Sequence, residues 1–76
     1  MAAVTHPEIE TTLWNAAMNM AHRYASAYRE TLLTDFQIVA AMTADALSGG
    51  FSAKDSAEIA ECAFRHLEQN HHPLDP

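Results

Sequence analysis

The sequence predicts an all-α fold, a small three-helix bundle with one long N-terminal helix packed by a two-helix hairpin. Three observations carry that expectation. Apolar residues recur at three- and four-residue spacing through three successive stretches. Alanine occurs fifteen times and glycine only twice in 76 residues; alanine favours helix because it loses no side-chain entropy there, whereas glycine loses the most backbone entropy. Capping signatures and a Gly-Gly pair punctuate the chain at helix-length intervals. With 76 residues the count is a single domain, 1–76, of modest core, for which association with another molecule adds stability.

Helix 1 is expected over about residues 6–32. Thr5 followed by Glu8 fits a capping box, Pro7 falls in the first turn where its missing N–H costs nothing, and Glu8 and Glu10 suit the positive end of the helix dipole. Ile9, Leu13, Ala17, Met20, Tyr24 and Tyr28 line one face. A second row, Trp14, Met18, Ala21, Ala25 and Leu32, runs beside it. Two adjacent rows make a face broader than one helix can cover, so helix 1 needs two helices, or one helix and another molecule.

Helix 2 is expected over about residues 35–47. Thr34 and Gln37 form a second capping box, and Leu33 and Ile38 are placed as a hydrophobic staple. Phe36, Val39, Ala40, Met42, Ala46 and Leu47 leave this helix almost no polar side, which predicts that it is the most enclosed element. Gly49 and Gly50 stop it. Helix 3 follows over about 53–69, with Ser52 as N-cap and Ala53, Ala57, Ala60, Phe64 and Leu67 as its buried row, Ile59 and Ala63 beside them. Asp55, Glu58, Glu61, Arg65 and Glu68 fall outward, and Glu61 to Arg65 is a favourable i,i+4 pair. Residues 70–76 read as a loose tail.

Charge narrows the function classes. Four basic residues stand against ten acidic ones, a formal net charge of −6, and most of the excess lies after residue 33. So few basic residues cannot neutralise many phosphates, so direct nucleic-acid binding is not expected. An acidic surface suits a basic protein partner, or simply keeps the protein soluble. Cys62 is the single cysteine, which excludes an internal disulfide and fits a reducing compartment. The start, Met1-Ala2-Ala3-Val4, lacks the charged and apolar regions of a signal peptide. No apolar run approaches membrane-spanning length. The expected location is the cytoplasm.

Chemistry-bearing constellations are sparse. Cys62 and His66 share a helix face four residues apart, with His71 and His72 close behind; thiolate and imidazole are good zinc ligands, but this spacing is no closed ligand set, and a half-buried cysteine beside solvated histidines is the better explanation. As a nucleophile, Cys62 lies among Glu58, Glu61 and Glu68, which would raise the thiol pKa rather than activate it. Gly49-Gly50 lacks the lysine and strand of a phosphate loop. Helix 2, the glycines and helix 3 have the proportions of a helix-turn-helix, but helix 3 offers too few basic or amide side chains to read DNA. The expectation is therefore no enzyme and no cofactor.

What remains is protein interaction. Trp14 and Met18, at the edge of the helix 1 stripe, are of the adaptable and aromatic kinds enriched at interfaces, and contact through this edge would give a two-fold homodimer. Asp55, Glu58, Glu61 and Glu68 would complement a basic surface on a partner, with the edge at Trp14 and Met18 supplying a hot spot for the same contact. In kind, by small size, acidity, helicity and absence of catalytic residues, the chain resembles phage-encoded inhibitors such as anti-CRISPR proteins, and also small helical adaptors and antitoxins; no shared motif carries the resemblance. The expected function is a non-enzymatic inhibitor or adaptor that binds a basic, often nucleic-acid-handling, partner. The alternatives are a metal-binding module using Cys62, His66, His71 and His72, and a structural homo-oligomer.

Overall fold

A computed structural model of the chain describes residues 11–70, and these form three helices: α1 Thr11–Arg29, α2 Asp35–Ser48 and α3 Ala53–Asn70. The bundle expected from the sequence is present, and no strand occurs among the described residues. The expected start of helix 1, with Thr5, Pro7, Glu8 and Ile9, lies outside them, as does most of the expected tail.

The caps form as their residue types dictate. The Thr34 hydroxyl accepts from the Gln37 N–H at 3.1 Å, and the Gln37 side chain accepts from the Thr34 N–H at 2.9 Å. Two of the donors that a helix start leaves orphaned are thus satisfied reciprocally. Ile38 is fully buried and Leu33 packs half-buried against the same core. At α3, Ser52 Oγ accepts from the Asp55 N–H at 3.1 Å.

Both interhelical turns close by the same device. After α2, the Gly50 N–H bonds the Leu47 carbonyl at 3.1 Å and the Phe51 N–H bonds the Ala46 carbonyl at 3.2 Å, with Gly50 at φ 101°. After α1, the Thr31 N–H bonds the Tyr28 carbonyl at 3.2 Å and the Leu32 N–H bonds the Ala27 carbonyl at 3.1 Å, with Thr31 at φ 51°. This pair of bonds is the Schellman arrangement, which needs a left-handed residue at its centre. Glycine takes that conformation freely; a β-branched threonine does so against steric resistance. The turn at Thr31 ends α1 at Arg29, three residues before the expected end, and leaves Leu32 outside the helix and 66% exposed.

α3, not α2, is the central element. It packs along both other helices, whereas α1 and α2 meet only sparsely. Ser56, Ile59, Ala60, Ala63 and Leu67 are each fully buried along one side of α3. The expected row is thus displaced by about a sixth of a turn around the helix: Ala53 and Ala57 are exposed and Phe64 is half-buried. Ile59 and Leu67 fix the phase because they hide the most apolar surface, and leaving two alanines wet costs little. Ala17, Ala60 and Ala63 have no exposed surface at all, so helices α1 and α3 can approach closely where they stand.

The expectation that α2 is the most enclosed helix is corrected. Only Ile38, Met42 and Ala46 of its fourteen residues are buried. Phe36 is 82% exposed and Leu47 48% exposed. With α3 in the middle of a domain measuring 37 × 32 × 15 Å, α2 packs closely on α3 and only sparsely on α1. An apolar circumference states what a helix would bury; three helices in so flat a domain do not supply enough surface to bury it.

Candidate functional site

The outward side of α3 carries the predicted carboxylates. Its buried residues occupy one arc, and the three- and four-residue spacing puts Glu58, Glu61 and Glu68 opposite, with Asp55 at the border. Asp55 and Glu58 are half-buried, Glu61 and Glu68 exposed. Lys54 and Arg65 share the band, and Arg65 donates to Glu61 Oε2 at 2.9 Å. That ion pair was expected from the spacing, and its exposed position makes it worth at most a few tenths of a kcal/mol. The band keeps a negative excess, four carboxylates against two cations.

Trp14 and Met18 do not stand in that band. Both are half-buried on α1. Met18 packs against the core, whereas Trp14 is not part of the core cluster. On α1, Tyr28 lies within electrostatic reach of the acidic helix: its hydroxyl pKa is raised by burial first, then by Glu68 and Asp35. Tyr28 also meets Phe64 edge-on, ring centroids 5.7 Å apart. The predicted partner-binding residues therefore lie on two helices and form no single pocket.

Cys62 and His66 take the expected neighbouring positions on α3, both half-buried. The thiol pKa is raised, and the cause differs from the one anticipated. Burial is the main effect, Glu61 adds to it and Arg65 opposes it. A thiol held protonated is a poor nucleophile. The Asn70 amide donates to the His66 carbonyl at 3.1 Å and lies 3.3 Å from its Nδ1. No group of three or more metal-ligating side chains converges among the described residues; His71 and His72 lie outside them.

Two features escaped the sequence reading. Asp45 ties α2 to α1: its Oδ2 accepts from Arg23 at 3.0 Å and from the Tyr24 hydroxyl at 3.1 Å. Arg23 is itself steadied by Asn19, its Nε donating to Oδ1 at 3.1 Å. The Tyr24 pKa is raised, by burial first and by its bond to Asp45 next. The other feature is the outer side of α2, where Phe36, Ala40 and Leu47 stand exposed in line. The only signal for it was the apolar circumference of helix 2, which reads as burial until the neighbours are known.

No family model matches the chain, and neither a characterised protein nor a solved structure similar to it was found. No helix among the described residues is long and apolar enough to cross a membrane.

Proposed function

We propose that the protein is a non-enzymatic interaction module, an inhibitor or adaptor that docks on a basic surface of a larger protein through the outward side of α3. One observation carries the reading: Glu58, Glu61 and Glu68, with Asp55 at their border, line the free side of the central helix, and Arg65 neutralises only Glu61 by direct contact. A rigid helix held by the whole core presents these charges at fixed spacing, which favours steering and register over bulk affinity. The net charge of −6 adds long-range attraction to a basic partner. Partners that handle nucleic acid present such surfaces, and an acidic helix can occupy them in place of phosphates.

The test is affinity capture from lysate of the source organism or its host, at low and at moderate salt, with wild type and with a Glu58→Lys/Glu61→Lys variant. The expected result is one basic protein, retained by wild type, released by salt and lost with the variant. Capture that is equal for both proteins would overturn the assignment to α3.

A further inference from the structure

We propose that the outer face of α2 is the contact surface between two copies of this chain, packed antiparallel about a two-fold axis. The face is apolar. Phe36, Ala40, Thr43 and Leu47 fall within about a sixth of a turn of one another, at spacings that keep them in line along the helix. Phe36 and Leu47, with Leu32 just before the helix, are the exposed large hydrophobic residues of the described chain. Thr43 presents little polarity, because its hydroxyl donates to the Val39 carbonyl at 2.8 Å.

Charge selects the occupant. A chain of net charge −6 repels its own copies wherever carboxylates face outward. The outer side of α2 carries none: Asp35 is exposed at the helix start but on the azimuth of Ile38, Met42 and Ala46, and Asp45 is turned toward Arg23 and Tyr24 of α1. A basic partner would gain nothing from docking here, while a second copy brings no carboxylate of this face against its twin.

The order of side chains is self-complementary as well. It runs large, small, small, large from Phe36 to Leu47, over about 16 Å. An antiparallel two-fold pairing therefore sets Phe36 of each copy beside Leu47 of the other, and Ala40 beside Thr43, with no bulk at the centre to hold the helices apart. The same operation brings Leu32 toward Phe51 of the second copy, which is only partly buried in its own chain. An isologous contact of this kind is closed, so association stops at two. The two copies together would hide on the order of 1,000 Å², the lower limit for a specific interface, which predicts a dimer that dissociates on dilution. The dimer and the acidic-face reading are independent, since the two surfaces lie on different helices.

Equilibrium sedimentation of the full chain tests this, with wild type, Phe36→Glu, Leu47→Glu and, as a control on α1, Trp14→Ala. The wild-type mass is expected to climb from 8.4 kDa toward twice that value as concentration rises from about 1 μM to about 500 μM. Each glutamate variant should weaken the dimer more than about thirtyfold, since the two-fold removes two anchors at once. Their helical circular dichroism should stay unchanged, because both sites are substantially exposed; the two positions serve as checks on each other. Added salt should not dissolve the dimer, and Trp14→Ala and Glu58→Lys/Glu61→Lys should leave it intact. A wild-type monomer at about 500 μM would overturn the proposal. So would a dimer indifferent to both glutamate variants, or one dispersed by salt or by Trp14→Ala.

Discussion

Replacing Thr31 by glycine is expected to stabilise the protein, against the usual effect of adding glycine. Thr31 sits at φ 51° at the centre of the turn that closes α1. Holding a residue with a Cβ in the left-handed region costs roughly 1–2 kcal/mol, and glycine removes that cost. Two losses offset part of the gain. Glycine gives the unfolded chain about 0.5–1 kcal/mol more entropy to lose, and the Thr31 hydroxyl gives up its exposed bond to the Glu30 carbonyl at 2.6 Å. The net expectation is a gain of about 0.5 kcal/mol, or about 2–4 °C in the melting temperature of so small a domain. Thermal and urea unfolding followed by circular dichroism at low micromolar concentration give the number. Two comparisons isolate the cause. Ala57→Gly, at an exposed site inside α3, should cost about 1 kcal/mol. Gly50→Ala, at φ 101° where an added Cβ would meet no atom within 4 Å, should cost about 1–2 kcal/mol through backbone strain alone. A Thr31→Gly variant as destabilised as Ala57→Gly would refute the claim that the turn closing α1 holds Thr31 under strain.

Further outcomes follow from the same structure. Asp45→Ala removes both side-chain ties between α1 and α2 and should cost about 1 kcal/mol in unfolding experiments; Asp45→Asn, which can still accept from Tyr24, should cost less, and the Arg23–Asp45 coupling in a double-mutant cycle should stay below about 1 kcal/mol because both side chains are substantially solvated. Tyr24 and Tyr28 have pKa values raised above 10.0 in the folded chain, so their contribution is complete below pH 10 and is lost as pH rises through the folded values; the melting temperature should decline from about pH 10 upward, and less steeply in Tyr24→Phe. Leu67→Ala, at a fully buried position in the last turn of α3, should cost about 2–5 kcal/mol, while Phe36→Ala in dilute protein should change stability by less than about 0.5 kcal/mol. If Phe36→Ala were the costlier of the two, α3 would not be the spine of the fold.

Local chemistry was the most legible part of this chain. Thr34 with Gln37, Ser52, the Gly49-Gly50 pair and the Glu61–Arg65 pair act over a few residues, and the structure forms each one as its residue types require. What the residues could not reveal was which helix the others surround. α2 reads as enclosed because its circumference is apolar, and the geometry places α3, not α2, between the other two helices. A helix with one well-defined apolar arc and a charged back can lie between two neighbours, whereas Phe36 and Leu47 lie on the far side of α2 from the contact it shares with α3. The early end of α1 had no signal either, since threonine at a left-handed position runs against its own preference. Nothing local in the sequence singles out Asp45, because its partners, Arg23 and Tyr24, are more than twenty residues away. For the candidate site, the spacing did place the acidic residues on one side of α3, but the assumption that Trp14 and Met18 join them needed a register between helices that spacing does not contain.

The most direct test of the acidic-helix claim is zero-length carboxyl-to-amine cross-linking of the protein to its captured partner, with the linked residues read by mass spectrometry. The account predicts partner lysines joined to Glu58, Glu61 or Glu68 of α3, with yields that fall as salt rises. Cross-links confined to Glu30, Asp35 and Asp45, at a yield unaffected by salt, would contradict it and move the binding surface to the α1–α2 side of the molecule.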